Sequence, residues 1–315
     1  MTTLITGGAG FIGSRLAAYL LNRGQPVVLL DNLDPYYSPA IKRANLASLG
    51  DDAVFVEGDI RDTPLVERLI REYRITRIAH LAALAGVRNS IEDGATYADV
   101  NVTGSVNLMN LARRHEIEVF IQSSTSSVYG QTTRIPFREE DAPDFPLAPY
   151  PASKRACELF AHSYHHIFGL NITVLRFFNV YGPHGRPDMM PLKVIEAILN
   201  GQPITVYDDG QLQRDWTYID DIVAGVAAAL ERPLGYTIIN LGHGSPIPLT
   251  RFIHIYEELI GRRAITRSAP APVSEPRITY CDNTRARELL GFKPQVRVED
   301  GLARTWAWYQ QTYLG

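Results

Sequence analysis

Short apolar runs alternate with stretches of helical period through the first 177 positions. Positions 2–6, 26–31, 54–57, 77–81, 119–123 and 172–177 read as strands. Positions 11–22, 64–72, 97–115 and 153–168 place apolar residues at helical spacing between them. Strands separated by helices predict βαβ units, and so a parallel sheet with right-handed crossovers. The expected fold class is α/β, with a doubly wound parallel sheet.

Beyond Asn179 the pattern changes. Positions 182–190 form a loop containing Gly, Pro and charges, and helical periods at 191–200, 221–231 and 250–260 mix with short strands. Pro270, Pro272 and Pro276 exclude regular structure over 268–276. The expected division is a nucleotide-binding domain over 1–179 and a smaller α/β substrate domain over 180–315. Residues of about 216–240 are expected to cross back and extend the sheet.

The chain has 315 residues, enough for one large domain or two closely packed ones. A net charge of −3 gives no reason for general affinity toward nucleic acid or an anionic membrane. Of the 31 cationic residues 27 are Arg, whose planar fork suits phosphate and carboxylate ligands, although an Arg-rich genome would give the same count. Cys157 and Cys281 are too few for a disulfide framework at this size. The N-terminus enters a strand with no basic leader, and no apolar run reaches membrane-spanning length, so the expected compartment is the cytoplasm.

Gly7-Gly8-Ala9-Gly10-Phe11-Ile12-Gly13 stands between the first strand and the first helix. Gly7 permits a tight turn, Gly10 a close backbone approach to a pyrophosphate, and Gly13 close helix–strand contact. The helix N-terminus then presents N–H groups to the phosphates. This is the phosphate loop of a Rossmann-type sheet. Asp31 ends the second strand, where a carboxylate accepts from the adenosine ribose and repels a 2′-phosphate. With Asn32 rather than Arg following, NAD is expected over NADP. Asp59, in Gly58-Asp59-Ile60, ends the third strand; it either binds the adenine amino group or caps the next helix.

In Tyr150-Pro151-Ala152-Ser153-Lys154, four residues separate a phenol from an ammonium, which puts both on one helix face. A nearby ammonium lowers a phenol pKa toward that of a working base. Upstream, Ser123-Ser124-Thr125-Ser126-Ser127 supplies hydroxyls at a strand end, where a sugar would sit.

Together these residues resemble the short-chain dehydrogenase/reductase family, and in particular its extended, nucleotide-sugar branch. The likeness runs the whole length. Arg176-Phe177-Phe178-Asn179-Val180-Tyr181-Gly182-Pro183 is similar to the segment after the sixth strand of that branch. Arg214-Asp215-Trp216-Thr217-Tyr218-Ile219-Asp220-Asp221 is similar to its diphosphate-binding segment. Within the branch, Asp31-Asn32-Leu33-Asp34-Pro35-Tyr36-Tyr37, Ala82-Ala83-Leu84-Ala85-Gly86-Val87-Arg88 and Gly185-Arg186-Pro187-Asp188-Met189 resemble UDP-glucuronate 4-epimerases. Three departures stand out: Pro35 before the tyrosines, Asn179 where many of these epimerases have Thr, and 273–276 without a Gly-Asp pair.

The resemblance implies bound NAD, held by Gly7, Gly10, Phe11, Ile12, Gly13, Asp31, Asn32, Asp59, Ile60, Leu81, Ala82, Ala83, Tyr150 and Lys154. It implies catalysis by Tyr150, Lys154 and Thr125. It places a UDP-sugar on Arg88, Thr125, Ser126, Ser127, Tyr150, Asn179, Arg186, Arg214 and Arg277, with no metal, in a homodimer.

Dehydratases and uronate decarboxylases of the branch carry an acid immediately before Val-Tyr-Gly; here Ser127 holds that position. A serine cannot move the proton such chemistry needs, which favours epimerisation. A neutral-sugar UDP-glucose 4-epimerase, a UDP-glucuronate decarboxylase and a non-catalytic NAD-binding relative are the alternatives. His162, His165 and His166 share a helix, but the chemistry needs no metal, so a surface or dimer-contact role is expected. Cys157 reads as a small buried group.

Overall fold

The computed structural model describes residues 1–141, 145–273 and 275–315. Six strands follow the expected series: β1 (Thr2–Thr6), β2 (Val27–Asp31), β3 (Val54–Glu57), β4 (Ile75–His80), β5 (Val119–Thr125) and β6 (Ile172–Phe177). A further strand, Tyr236–Leu241, pairs parallel with β6 and makes the sheet seven-stranded. The spatial order is Tyr236–Leu241, β6, β5, β4, β1, β2, β3, and every pairing is parallel. The chain works outward from β1 to β3, then from β4 in the other direction. The crevice between the carboxyl ends of β1 and β4 is therefore the topological switch point, where open α/β sheets bind ligands.

Alternate strand residues feed two cores. Ile5, Val27, Leu29, Val119 and Ile121 pack on one face with Leu16, Leu20, Ile222 and Val226. Leu4, Val28, Leu30 and Phe120 pack on the other with Val66, Ile70, Leu108 and Leu111. Burial on both faces explains why apolar residues in these strands run consecutively rather than alternating with polar ones. The Phe11–Leu21 and Ile219–Leu230 helices lie together on the first face. Thr63–Glu72, Gly104–Arg114 and Pro149–Phe168 cover the second.

Four expectations are corrected. The single helix over 97–115 is Gly94–Tyr97, a π-helical turn over Ala98–Thr103, and Gly104–Arg114. Asn101, buried in that turn, accepts from the Leu84 N–H at 2.8 Å and donates to the Leu84 carbonyl at 3.0 Å. The helix expected from 153 begins at Pro149, because proline fits the first helical turn, where its missing N–H costs nothing. A helix absent from the expected series, Pro39–Ala47, folds over the glycine loop through Asn45, whose amide donates to the Ala9 carbonyl at 3.1 Å. The 268–276 stretch begins inside a strand, Ile265–Ala269, which pairs with Pro203–Tyr207; prolines end it. Ser274, within that stretch, lies outside the described residues.

Candidate active site

A cavity of about 730 Å³ opens over the carboxyl ends of the strands. Every expected site residue lines it except Arg277, whose side chain is exposed and whose carbonyl accepts from the Gln213 N–H.

One end is the glycine loop. Gly7 has φ +69°, and a Cβ there would stand 2.8 Å from the Ala82 nitrogen. A Cβ on Gly13 would collide with the Gly7 carbonyl. Among the described residues no side chain caps the Phe11–Leu21 helix, and no acid stands in its first turn, so its N–H groups and positive end face the cavity. The loop is the cradle a dinucleotide pyrophosphate needs, and NAD fits it.

Asp31 is buried at the mouth of this loop. Its carboxylate accepts from the Ala9 N–H at 3.1 Å and the Leu33 N–H at 2.9 Å, and Lys42 Nζ lies 3.5 Å away. Asp59 does not cap the following helix; Asp62 does, accepting from the Leu65 N–H. Instead Asp59 takes a two-point fork from Arg61, at 2.9 and 2.8 Å, and a bond from Asn32 at 3.1 Å. Those Arg61 bonds hold its carboxyl below the usual range.

The middle of the cavity carries the phenol. Tyr150 is partly enclosed, and burial pushes it above its ordinary pKa. The Arg186 guanidinium and the nearby Thr125 hydroxyl pull it back down. Lys154 was expected to supply that pull. Its Nζ instead donates to Ser123 Oγ at 3.2 Å, and burial lowers its own pKa. Thr125 Oγ1 accepts from the Ser127 N–H at 3.1 Å and donates to Ser127 Oγ at 3.3 Å, so the hydroxyl run is a small ordered array. Ser124 leaves that array and donates to the buried Glu158 at 2.6 Å.

A chain of polar contacts unseen in the sequence stands behind Lys154. Neutral His80, pushed down to about 3 chiefly by burial, bridges Thr6 Oγ1 at 2.7 Å and Ser105 Oγ at 2.9 Å. Ser105 donates to the Asn101 carbonyl, Asn101 donates to Ser153 at 2.9 Å, and Ser153 donates to the Tyr150 carbonyl at 2.7 Å. The ends of β1 and β4 are thereby tied to the backbone of the phenol. Cys157 lies inside this packing, with Sγ 3.2 Å from the Asn101 and Ser153 carbonyls.

At the far end, Arg88 and Arg214 both reach Glu275, each at 2.9 Å. Asp215, pushed up to about 6 by burial, accepts from the His243, Gly244 and Cys281 N–H groups and so fixes the strand end next to Arg214. Asn179 Oδ1 accepts from Thr279 at 3.3 Å. Tyr36, Lys42, Asp188 and Glu275 line the cavity without having been singled out in sequence. Its place two positions after Arg186 was the available signal for Asp188; nothing local marks Glu275.

His162 and His166 stack on the outer side of the Pro149–Phe168 helix, with His162 edge-on to Tyr236 at 5.0 Å. His165 Nδ1 lies 3.0 Å from the Leu170 carbonyl. No described helix is long and apolar enough to cross a membrane.

Residues 3–242 match the model of the NAD dependent epimerase/dehydratase family. A UDP-glucuronate 4-epimerase of Thermodesulfobacterium geofontis is 41% identical over 312 residues, covering 98% of this chain and 96% of that protein. The UDP-glucuronic acid 4-epimerase of Bacillus cereus, solved with UDP-glucuronic acid and NAD, superposes with a TM-score of 0.93 at 35% identity, over 99% of this chain and 100% of that one. The UDP-glucose 4-epimerase of Thermotoga maritima, solved with UDP-glucose, gives a TM-score of 0.91 at 32% identity, over 99% of both chains.

Proposed function

The chain belongs to the NAD dependent epimerase/dehydratase family, and from that premise we propose that it interconverts UDP-glucuronate and UDP-galacturonate by inversion at carbon 4. The observation that carries this reading is the ordered hydroxyl array of Thr125 and Ser127 beside Tyr150, with no carboxylate at position 127. Hydroxyls there can hold a sugar carboxylate; an acid there would repel it or move protons elsewhere on the ring.

Tyr150, as phenolate, takes the proton of the sugar 4-hydroxyl, and Thr125 aligns that hydroxyl. NAD, when bound on the glycine loop, Asp31, Asn32, Asp59, Ile60, Leu81, Ala82 and Ala83, supplies a hydride acceptor for carbon 4 and the same hydride for return to the opposite face. Lys154 lines the same wall and keeps Ser123 in place. Asn179 and Arg214 hold the diphosphate while the sugar turns, and Arg88 adds positive potential. Residues 1–179 with about 216–240 hold the cofactor, and 180–315 hold the UDP-sugar. The working form is a cytoplasmic homodimer.

A second reading, a neutral UDP-glucose substrate, draws support from the internal pairing of the cavity arginines: Arg186 with Asp188, and Arg88 and Arg214 with Glu275. Incubating the NAD-loaded protein with each UDP-sugar and resolving the products separates the two. Conversion of UDP-glucose alone would overturn the uronate reading.

A further inference from the structure

Arg186 is the cavity's obvious partner for a sugar carboxylate, yet the Nε/Nη2 edge of its guanidinium is already taken. Nε donates to Asp188 Oδ1 at 2.9 Å and Nη2 to Asp188 Oδ2 at 2.8 Å. Tyr36 Oη donates a further bond to Asp188 Oδ2 at 3.1 Å, and the Tyr36 ring centroid lies 5.5 Å from the guanidinium carbon. Burial alone would raise Asp188; the Arg186 and Tyr36 contacts outweigh it and keep the carboxyl ionised. The pair is partly enclosed, with side-chain exposures of 22% and 32%, and it lines the same cavity as Tyr150, Thr125 and Asn179. The wall therefore carries a closed ion pair in place of a free cation.

That difference matters for a sugar that must turn over between two hydride transfers. Two-point guanidinium–carboxylate forks are among the strongest polar contacts in proteins. A free Arg186 would grip a uronate in one orientation and lower its ground state there, which slows every later step. We propose that Asp188 determines how the pocket handles an anionic sugar: by occupying the Nε and Nη2 donors of Arg186 and balancing its charge, it leaves a dipole that tolerates a uronate without trapping it. Tyr36 holds Asp188 in the orientation that closes the fork. Asp188 acts through Arg186 and is a positioning residue. The proposal rests on the uronate reading above.

The test uses the NAD-loaded protein and Asp188→Asn, which keeps the size and an acceptor for Tyr36 but removes the charge. Calorimetry gives Kd for UDP-glucuronate, UDP-glucose and UDP; steady-state assays give kcat and KM. UDP-glucuronate should bind about tenfold tighter to the variant, the loss of one charge-assisted competitor, while UDP and UDP-glucose change by less than about twofold. Its KM should fall along with kcat, a split that a merely loosened fold would not produce. The double variant Arg186→Gln/Asp188→Asn restores an uncharged wall, and its Kd for UDP-glucuronate should return toward the native value; its kcat carries the separate loss of the Arg186 charge that lowers Tyr150. That variant also decides the matter if Asp188→Asn alone fails to fold. Unchanged or weaker UDP-glucuronate binding in Asp188→Asn, or a double variant that binds UDP-glucuronate as tightly as the single one, overturns the role of Asp188. A native protein that does not turn over UDP-glucuronate overturns the substrate reading instead.

Discussion

The carboxylate of Glu158 grips Arg176 at two points beneath the active site, with Nε at 2.9 Å from Oε1 and Nη2 at 2.7 Å from Oε2. Both side chains are almost wholly buried, at 0% and 1% exposure. Glu158 stands one helical turn beyond Lys154 and accepts from Ser124 at the end of β5, so the pair anchors the floor on which the hydroxyl array rests. Burial alone would raise the Glu158 carboxyl, but Arg176, with Ser124 and Arg155, outweighs it and holds the group below the usual range.

Glu158→Gln leaves a buried guanidinium without its counter-ion. A loss of about 3–5 kcal/mol of stability is expected, read as a shift in the denaturation midpoint. The pH dependence has a defined sign. A carboxyl depressed in the folded state contributes stability above its unfolded pKa and loses it as pH falls through the folded value. The native protein should therefore lose this contribution only on acidification below the ordinary carboxylate range, and the variant should show a flatter acid limb. Equal acid limbs would remove the pair from the stability of the fold.

Asp31 and Lys42 set the second prediction. Asp31→Ala removes the acceptor for the ribose and leaves the Lys42 ammonium, 3.5 Å from the lost oxygen, facing the site of a 2′-phosphate. The ratio of NADP to NAD affinity should rise by at least about tenfold, the worth of one charge-assisted bond. Asp31→Asn, which can still accept from the Ala9 or Leu33 N–H, separates this effect from collapse of the loop. Calorimetric titration with both dinucleotides measures it. An unchanged preference would place the discrimination elsewhere.

Tyr150→Phe keeps the ring and removes the base. Turnover should drop at least about a hundredfold, while UDP-sugar binding persists. Because burial raises the native phenol, kcat should climb with pH on the alkaline side. Arg186→Gln takes away the charge that lowers it and should move that limb to higher pH. It also bares Asp188 in the pocket, so it should weaken UDP-glucuronate more than UDP-glucose. Equal losses on both sugars would leave Arg186 as a structural contact.

What was legible in sequence is local chemistry at strand ends. Gly7, Asp31 and Thr125 announce themselves because they stand where a covered parallel strand ends at the sheet edge, and Tyr150 by its four-residue spacing to Lys154 on one helix. The counter-ions were not legible. Tyr36 meets Asp188 across 152 positions, and Arg88 meets Glu275 across 187. Such pairs depend on how the substrate segments fold back over the sheet, which no local pattern records. The π-helical turn that aims Asn101 at Leu84 was hidden for a related reason: its apolar spacing is that of an ordinary helix. Arg88, Arg186 and Arg214, expected on the UDP-sugar, each also pair with a carboxylate from elsewhere in the chain or two residues on.

The absent acid at Ser127 sets the last prediction. Oxidation of glucuronate at carbon 4 makes a β-keto acid, because the carboxylate on carbon 5 then neighbours a ketone. Such an acid loses CO2 readily when the breaking bond stands perpendicular to the ketone plane. An epimerase must hold that bond near the plane until the hydride returns. Keeping the leak near one in a hundred requires a barrier to decarboxylation about 2.7 kcal/mol above that for hydride return. Hydrogen bonds to a charged group are worth about 1.5–3 kcal/mol each, so one or two hydroxyls suffice. Thr125 and Ser127 are already oriented, since Thr125 Oγ1 accepts the Ser127 N–H and donates to its Oγ. Each hydroxyl needs only to swing its proton toward the carboxylate. Thr125→Ala and Ser127→Ala should both raise the share of UDP-pentose among the products, with Thr125→Ala the more severe, because it frees Ser127 as well. Counting CO2 released per turnover from labelled carboxylate measures this directly. Near-stoichiometric release from the native protein would make it a decarboxylase. An unchanged product ratio in both variants would mean that other groups hold the carboxylate in plane.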